Sequence, residues 1–231
     1  MQLIFLHALP FDGSMWCAAS DLTPGRTLAP RLYDLGDSIE EWASRVLELA
    51  GSESSIVVGN SVGGSCALEI ARAAPDQVAG IVLIGAKAGV RPDPALRDEA
   101  VRLLETRGVE AAWARYWAPL FGCNTSAAIV AAARELALRQ HVADLVRGVR
   151  AFHDRRDLTD WVARWRRPLV VIHGAQDITP APSTAARVVV GEQRRFHLVA
   201  NCGHYVNLEQ PAVFRSLLSS ALQQMTAAPE H

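Results

Sequence analysis

The stretch Ser55-Ile56-Val57-Val58-Gly59-Asn60-Ser61-Val62-Gly63-Gly64 runs from a continuous apolar segment into Gly-x-Ser-x-Gly, and a helix-like segment follows it. A buried strand that turns straight into a helix places its serine at the apex of a tight, strained turn, which makes Ser61 a candidate nucleophile. Gly59 and Gly63 flank that apex because the backbone there is crowded and a side chain on either side would clash. The five-residue pattern alone has little specificity; the strand before it and the helix after it give it weight.

Outward from this turn the same rhythm repeats. Short apolar runs at residues 3–6, 27–32, 55–58, 80–84, 169–173 and 195–199 alternate with longer helical patterns. Continuous apolarity suits strands covered on both faces, and the alternation predicts an α/β fold with a mostly parallel sheet of about six strands. Residues 39–49 and 65–74 read as crossover helices, the second stopped by Pro75. One interval breaks the rhythm. Between residues 84 and 169 no strand is evident, and residues 94–106, 109–118, 126–140 and 141–152 read as helices. Residues 1–87 and 165–231 are therefore expected to form the core, and residues 88–164 a helical cap over the sheet's active-site edge.

Composition excludes several classes of function. Half of the 231 residues are hydrophobic and 20% are charged, a normal profile for a chain with a sizeable core. A formal net charge of −1 gives no pull toward nucleic acid or acidic membranes. The short basic run Arg164, Arg166 and Arg167 reads as a solvated helix end. Cys17, Cys66, Cys123 and Cys202 are scattered without metal or redox spacing, which predicts free thiols in a reducing compartment. The opening apolar run is too short for a signal-peptide core, and no run is long enough to span a membrane. A soluble, cytoplasmic protein is expected, acting on a small-molecule substrate without metal or cofactor; oligomeric state is left open.

A serine hydroxyl needs a base to take its proton and a third group to orient that base. His204 lies on a glycine-containing loop after the apolar run at residues 195–199, and Asp177 lies just beyond the turn that follows residues 169–173. The order Ser61, Asp177, His204, with each residue at a strand end, matches a Ser-His-Asp catalytic triad built on such a sheet. Charge developing on a substrate carbonyl also needs backbone donors, one of them the N–H of Val62, directly after the nucleophile.

Taken together, the His-x-x segment at His7, Trp16, the Gly-x-Ser-x-Gly-Gly elbow, the Gly-x-x-Asp turn and the Gly-His before Asn-Leu-Glu-Gln-Pro resemble the α/β-hydrolase superfamily along essentially the whole chain. The resemblance is to small cap-bearing esterases and lactonases. It implies hydrolysis of an ester, thioester or lactone of a small, largely apolar substrate, with the Leu9 N–H as second oxyanion donor. Carbon–carbon bond hydrolysis, a lyase reaction, perhydrolysis or a low-turnover receptor are the alternatives on the same triad. Three departures stand out. Ala8 replaces a common glycine beside the oxyanion loop, the loop at residues 33–38 is short, and the chain opens directly at the strand before the oxyanion loop.

Other side chains carry a plainer reading beside a functional one. His7 reads as a hydrogen-bonding residue of the oxyanion loop, and His173 as a core histidine. Residues 153–157 read as a solvated junction, with a substrate carboxylate bound by an arginine as the sharper alternative. Trp113, Trp117, Phe121 and Phe152 are candidates for the substrate pocket, with Tyr116 beside them. Asp12 and Lys87 lie on loops near the sheet's carboxyl edge, within reach of substrate.

Overall fold

A computed structural model of the chain describes residues 1–19 and 26–227. Its centre is a six-stranded, wholly parallel sheet: β1 (Gln2–Leu6), β2 (Thr27–Leu28), β3 (Ser55–Asn60), β4 (Val78–Ile84), β5 (Leu169–Gly174) and β6 (Arg194–Val199), in the order β2-β1-β3-β4-β5-β6. Every residue of β1, β3 and β5 is buried, which is why these strands read as unbroken apolar runs rather than alternating ones. The strand expected at 27–32 is only two residues long. Pro30 has no N–H for the ladder, and the chain turns at Leu32–Asp34 in a single 3₁₀ turn.

Helix α1 (Ile39–Ala50) starts at Ser38, whose side chain accepts the Glu41 N–H, and it buries Ile39, Trp42, Ala43 and Val46 on one face. Helix α2 (Val62–Ala73) packs against α1 and the central strands, and begins three residues earlier than its apolar pattern shows. Between β4 and β5 lie only helices: α3 (Pro94–Ala112), α4 (Ala127–Leu138), α5 (Val142–Asp154) and α6 (Thr159–Arg164). The break expected between two helices near residue 108 is real. Gly108 takes φ 75° inside α3, and the chain then widens to a π-helical turn at Trp113–Trp117 and tightens to 3₁₀ at Ala118–Leu120.

Short α7 (Pro182–Ala185) and α8 (Val206–Glu209) follow β5 and β6, and α9 (Pro211–Ala227) covers β4 and β5. The strand order reverses direction after β1: β2 lies on one side of it and β3 on the other. In an open parallel sheet a crevice forms at the carboxyl ends of strands flanking such a point, so β1 and β3 deliver the loops at Leu9 and Ser61 to it.

Candidate active site

Ser61 is the single residue between β3 and α2, with φ 54° and ψ −116°. That conformation is sparsely populated for any residue with a Cβ and persists only where its surroundings hold it. Here they do. The Ser61 N–H donates to the Ile84 carbonyl at 2.9 Å, and Asn60 Nδ2 donates to the same carbonyl at 2.9 Å and to the His204 carbonyl at 3.3 Å. A Cβ on Gly63 would stand 2.1 Å from the Leu6 carbonyl oxygen, and one on Gly59 would stand 2.3 Å from the Gly63 oxygen. Both flanks of the elbow therefore exclude any larger residue.

His204 Nδ1 and Asp177 Oδ2 are 2.8 Å apart, and both side chains are buried. A carboxylate only accepts, so Nδ1 carries a proton, and in the neutral ring Nε2 keeps its lone pair. Asp177 is held in turn by the Thr179 N–H, which donates to Oδ1 at 2.8 Å. His173, kept neutral by burial, donates Nε2–H to the Pro180 carbonyl at 3.0 Å and lies 3.5 Å from the same Asp177 oxygen. The structure contains no hydrogen bond between Ser61 Oγ and the His204 ring; such contacts commonly tighten only in a substrate complex.

The loop after β1 is fixed from three sides. His7 Nε2 accepts the Leu32 N–H at 2.9 Å while Nδ1 donates to the Ala8 carbonyl at 3.2 Å. Burial lowers the pKa of His7 to about 4, which keeps the ring neutral and lets it accept. Tyr205 Oη donates to the Leu9 carbonyl at 3.1 Å and Tyr33 Oη to the Phe11 carbonyl at 2.8 Å. Among the described residues no acceptor is found for the N–H of Leu9 or of Val62. Ala8 is fully buried and its N–H meets Met15 Sδ at 3.3 Å, so its methyl group is accommodated.

The loop carrying His204 is tied to the helical insertion by one carboxylate. Glu209 accepts from the N–H groups of Gly203 (2.9 Å) and Tyr205 (3.0 Å) on the loop. It also accepts from the Gly122 N–H (2.8 Å) and Thr125 Oγ1 (2.5 Å) of the insertion. The His204 N–H itself donates to the Leu120 carbonyl at 2.9 Å.

Ser61, His204 and Leu9 open into a cavity of about 160 Å³, walled chiefly by apolar side chains of α3, α5 and the turn after α3.

A family model described as the alpha/beta hydrolase family matches residues 3–217. The chain belongs to that family. No curated protein sequence matches it. Solved structures share the fold at low identity. A thermophilic esterase from Thermogutta terrifontis superposes with a TM-score of 0.88 at 21% identity, over 97% of this chain and 90% of that one. The enol-lactonase from Burkholderia xenovorans LB400 gives 0.84 at 18%, over 96% and 91%. MenH from S. aureus gives 0.85 at 16%, over 98% and 94%.

Of the aromatic residues expected in this hydrolase's pocket, Tyr116, Trp117 and Phe152 line the cavity. Trp113 and Phe121 do not. They stand behind the wall in a cluster with Phe11 and Tyr205, with Trp113 and Phe121 ring centroids 5.8 Å apart and Phe121 and Tyr205 4.9 Å apart. The wall also contains Leu96, Ala100 and Leu104, one turn apart along α3, and Val149 and His153 on α5. Those i, i+4 and i, i+3 spacings were visible in the sequence, but not which helix face meets the sheet. His153 thus faces the cavity, where burial and Arg155 lower its pKa. Asp12 is a structural link: it accepts from Ser14 and, at 2.7 Å, from Gln140 Nε2 beyond α4. Cys66, Cys123 and Cys202 form no disulfide, and burial pushes the Cys202 thiol far up, away from a reactive thiolate. No group of three or more metal-ligating side chains occurs among the described residues, and no helix there is long and apolar enough to cross a membrane.

Proposed function

We propose that this chain is a serine hydrolase that cleaves an ester, thioester or lactone of a small, largely apolar substrate through an acyl-enzyme. The observation that carries the reading is the buried 2.8 Å contact of His204 with Asp177, on the wall of the cavity that also receives the strained Ser61. Ser61 Oγ attacks the carbonyl as its proton passes to His204 Nε2, and Asp177 steadies the imidazolium that forms. The oxyanion is stabilised by the N–H groups of Leu9 and Val62. The tetrahedral intermediate collapses by breaking the bond to the leaving oxygen or sulfur, which takes the proton from His204. Water then attacks the acyl-enzyme, giving its proton to His204, and Ser61 Oγ recovers that proton as the acid departs.

In this reading residues 88–164 act as a cap, with the apolar faces of α3 and α5 sizing the substrate and excluding water from the reacting bond. The chemistry is in keeping with the esterase and the enol-lactonase that share the fold. The test is turnover of p-nitrophenyl esters of increasing acyl length, with the products identified. An acid product in stoichiometric amount with nitrophenol, and an acyl adduct trapped on Ser61, is the expected result. No turnover on any ester, thioester or lactone would overturn it.

A further inference from the structure

The chain contains 23 lysine and arginine residues, and only one of them, Lys87, is lysine. It lies on the loop after β4, half-buried, in a narrow crevice beside the nucleophile with room for about one water-sized group. Ser61, Thr179 and Phe152 line both this crevice and the large apolar cavity, so the two adjoin at Ser61. Arg155 also lines the crevice, only 9% exposed, with its guanidinium carbon 3.9 Å from the centre of the Phe152 ring. Arg155 donates to the carbonyls of Phe152 and Gly89.

Among the described residues neither cation forms a salt bridge, and the nearby carboxylates are committed elsewhere. Glu69 is bonded to Arg72 at 2.7 Å and lies 3.5 Å from Arg156, which bonds Glu40 at 2.7 Å. Asp157 accepts the N–H groups of Val90 at 2.9 Å and Thr159 at 2.8 Å. His153, on the preceding turn, adds no negative charge. Two like charges are thus held side by side with partial or full burial, an arrangement that costs free energy in the empty site and is characteristic of functional positions. Burial, and after it the neighbouring Arg155 charge, lowers the pKa of Lys87; burial lowers that of Arg155 to about 10, against the opposing pull of the Asp157 carboxylate. An anion between them would reverse that effect.

We propose that the Lys87–Arg155 crevice is a carboxylate subsite: the substrate bears a carboxylate on one side of the scissile carbonyl and an apolar group, seated in the large cavity, on the other. The proposal rests on Ser61 being the nucleophile and narrows the substrate class accordingly, to half-esters of dicarboxylic acids or to carboxylate-bearing esters and lactones. A compact ammonium with three rotatable donors suits a small anion in a narrow crevice, and the guanidinium stacked on Phe152 sets the second point of contact.

Two matched pairs of esters test it, one with the charge on the acyl side and one with the charge on the alcohol side. The first pair is mono-p-nitrophenyl glutarate against p-nitrophenyl pentanoate, and the second is 4-butanoyloxybenzoate against 4-butanoyloxytoluene. In at least one pair the wild-type enzyme is expected to favour the anionic ester in kcat/KM. Lys87→Met should reduce that charged-to-neutral ratio about tenfold or more, and Lys87→Arg should restore part of it. The preference should also weaken as pH rises through the lowered ammonium pKa, because only the protonated amine attracts the carboxylate. Reading a ratio removes any general loss of folded enzyme. Wild-type enzyme that turns over both neutral esters through Ser61 but disfavours both anionic ones, or an unchanged ratio in Lys87→Met, would overturn the subsite alone. Full turnover by Ser61→Ala would instead overturn the nucleophile on which it rests.

Discussion

At the scale of the residue, the site is built from side chains and backbone groups held where they would not rest alone. Ser61 at φ 54° carries strain of about 1–3 kcal/mol, which a glycine would not. Ser61→Gly is therefore expected to unfold in urea at a free energy ~1 kcal/mol above that of Ser61→Ala, after allowing for the extra chain entropy of glycine. Equal stabilities would mean the elbow is unstrained. His7 makes a second prediction. Its folded pKa of about 4 lies below the unfolded value near 6.5, so the unfolded chain binds the proton first. Its contribution to stability is complete above about pH 6.5 and is lost as pH falls toward 4, by about 3 kcal/mol. His173, also lowered by burial, acts in the same direction, whereas the lowered Asp12, Asp144 and Asp157 lose their contributions only in more acid solution. Urea titrations between pH 8 and pH 4 should show this slope, and His7→Gln should flatten it. A slope unchanged by the substitution would contradict the neutral, accepting role of His7.

At the scale of the element, the seam between sheet and insertion carries the energetics. The Glu209 carboxylate accepts four hydrogen bonds at the head of α8, two from each side of that seam. Glu209→Gln replaces one acceptor oxygen with a donor among these N–H groups and should cost about 2–4 kcal/mol of stability by denaturant titration; a loss under 1 kcal/mol would show that the groups find other partners. The wall of the cavity belongs to α3, α5 and the turn between α3 and Ala118. Trp117→Ala should enlarge it and move the preferred acyl chain of p-nitrophenyl esters to greater length, and an unmoved optimum would place the acyl group elsewhere. This is also where the sequence was least informative. Strands buried on both faces declare themselves by composition alone, and so does a serine between two glycines. Which of Trp113, Trp117 and Phe121 faces substrate depends on the helical phase after Gly108 and on the widened turn at Trp113–Trp117, and neither is written in local periodicity.

At the scale of the whole molecule, the parallel sheet brings residues far apart in sequence to one edge. Ser61, Asp177 and His204 stand at the ends of β3, β5 and β6, and Leu9 follows β1. The order of these residues was legible because the chain order of strand ends is the order of the candidate site. The supporting contacts were not, because Tyr205 holding Leu9, Asn60 holding His204 and Gln140 holding Asp12 are pairings made only by the tertiary fold. The lone lysine was visible as a residue near the carboxyl edge, but its lack of a carboxylate partner appears only once Glu40, Glu69 and Asp157 are seen bonded elsewhere. The measurement that bears most directly on the whole account is kcat for p-nitrophenyl butanoate in purified wild-type and Ser61→Ala protein, with folding of the variant verified by its circular dichroism. The account predicts a fall of about 10⁴-fold or more. Near-wild-type turnover in the folded variant would contradict it.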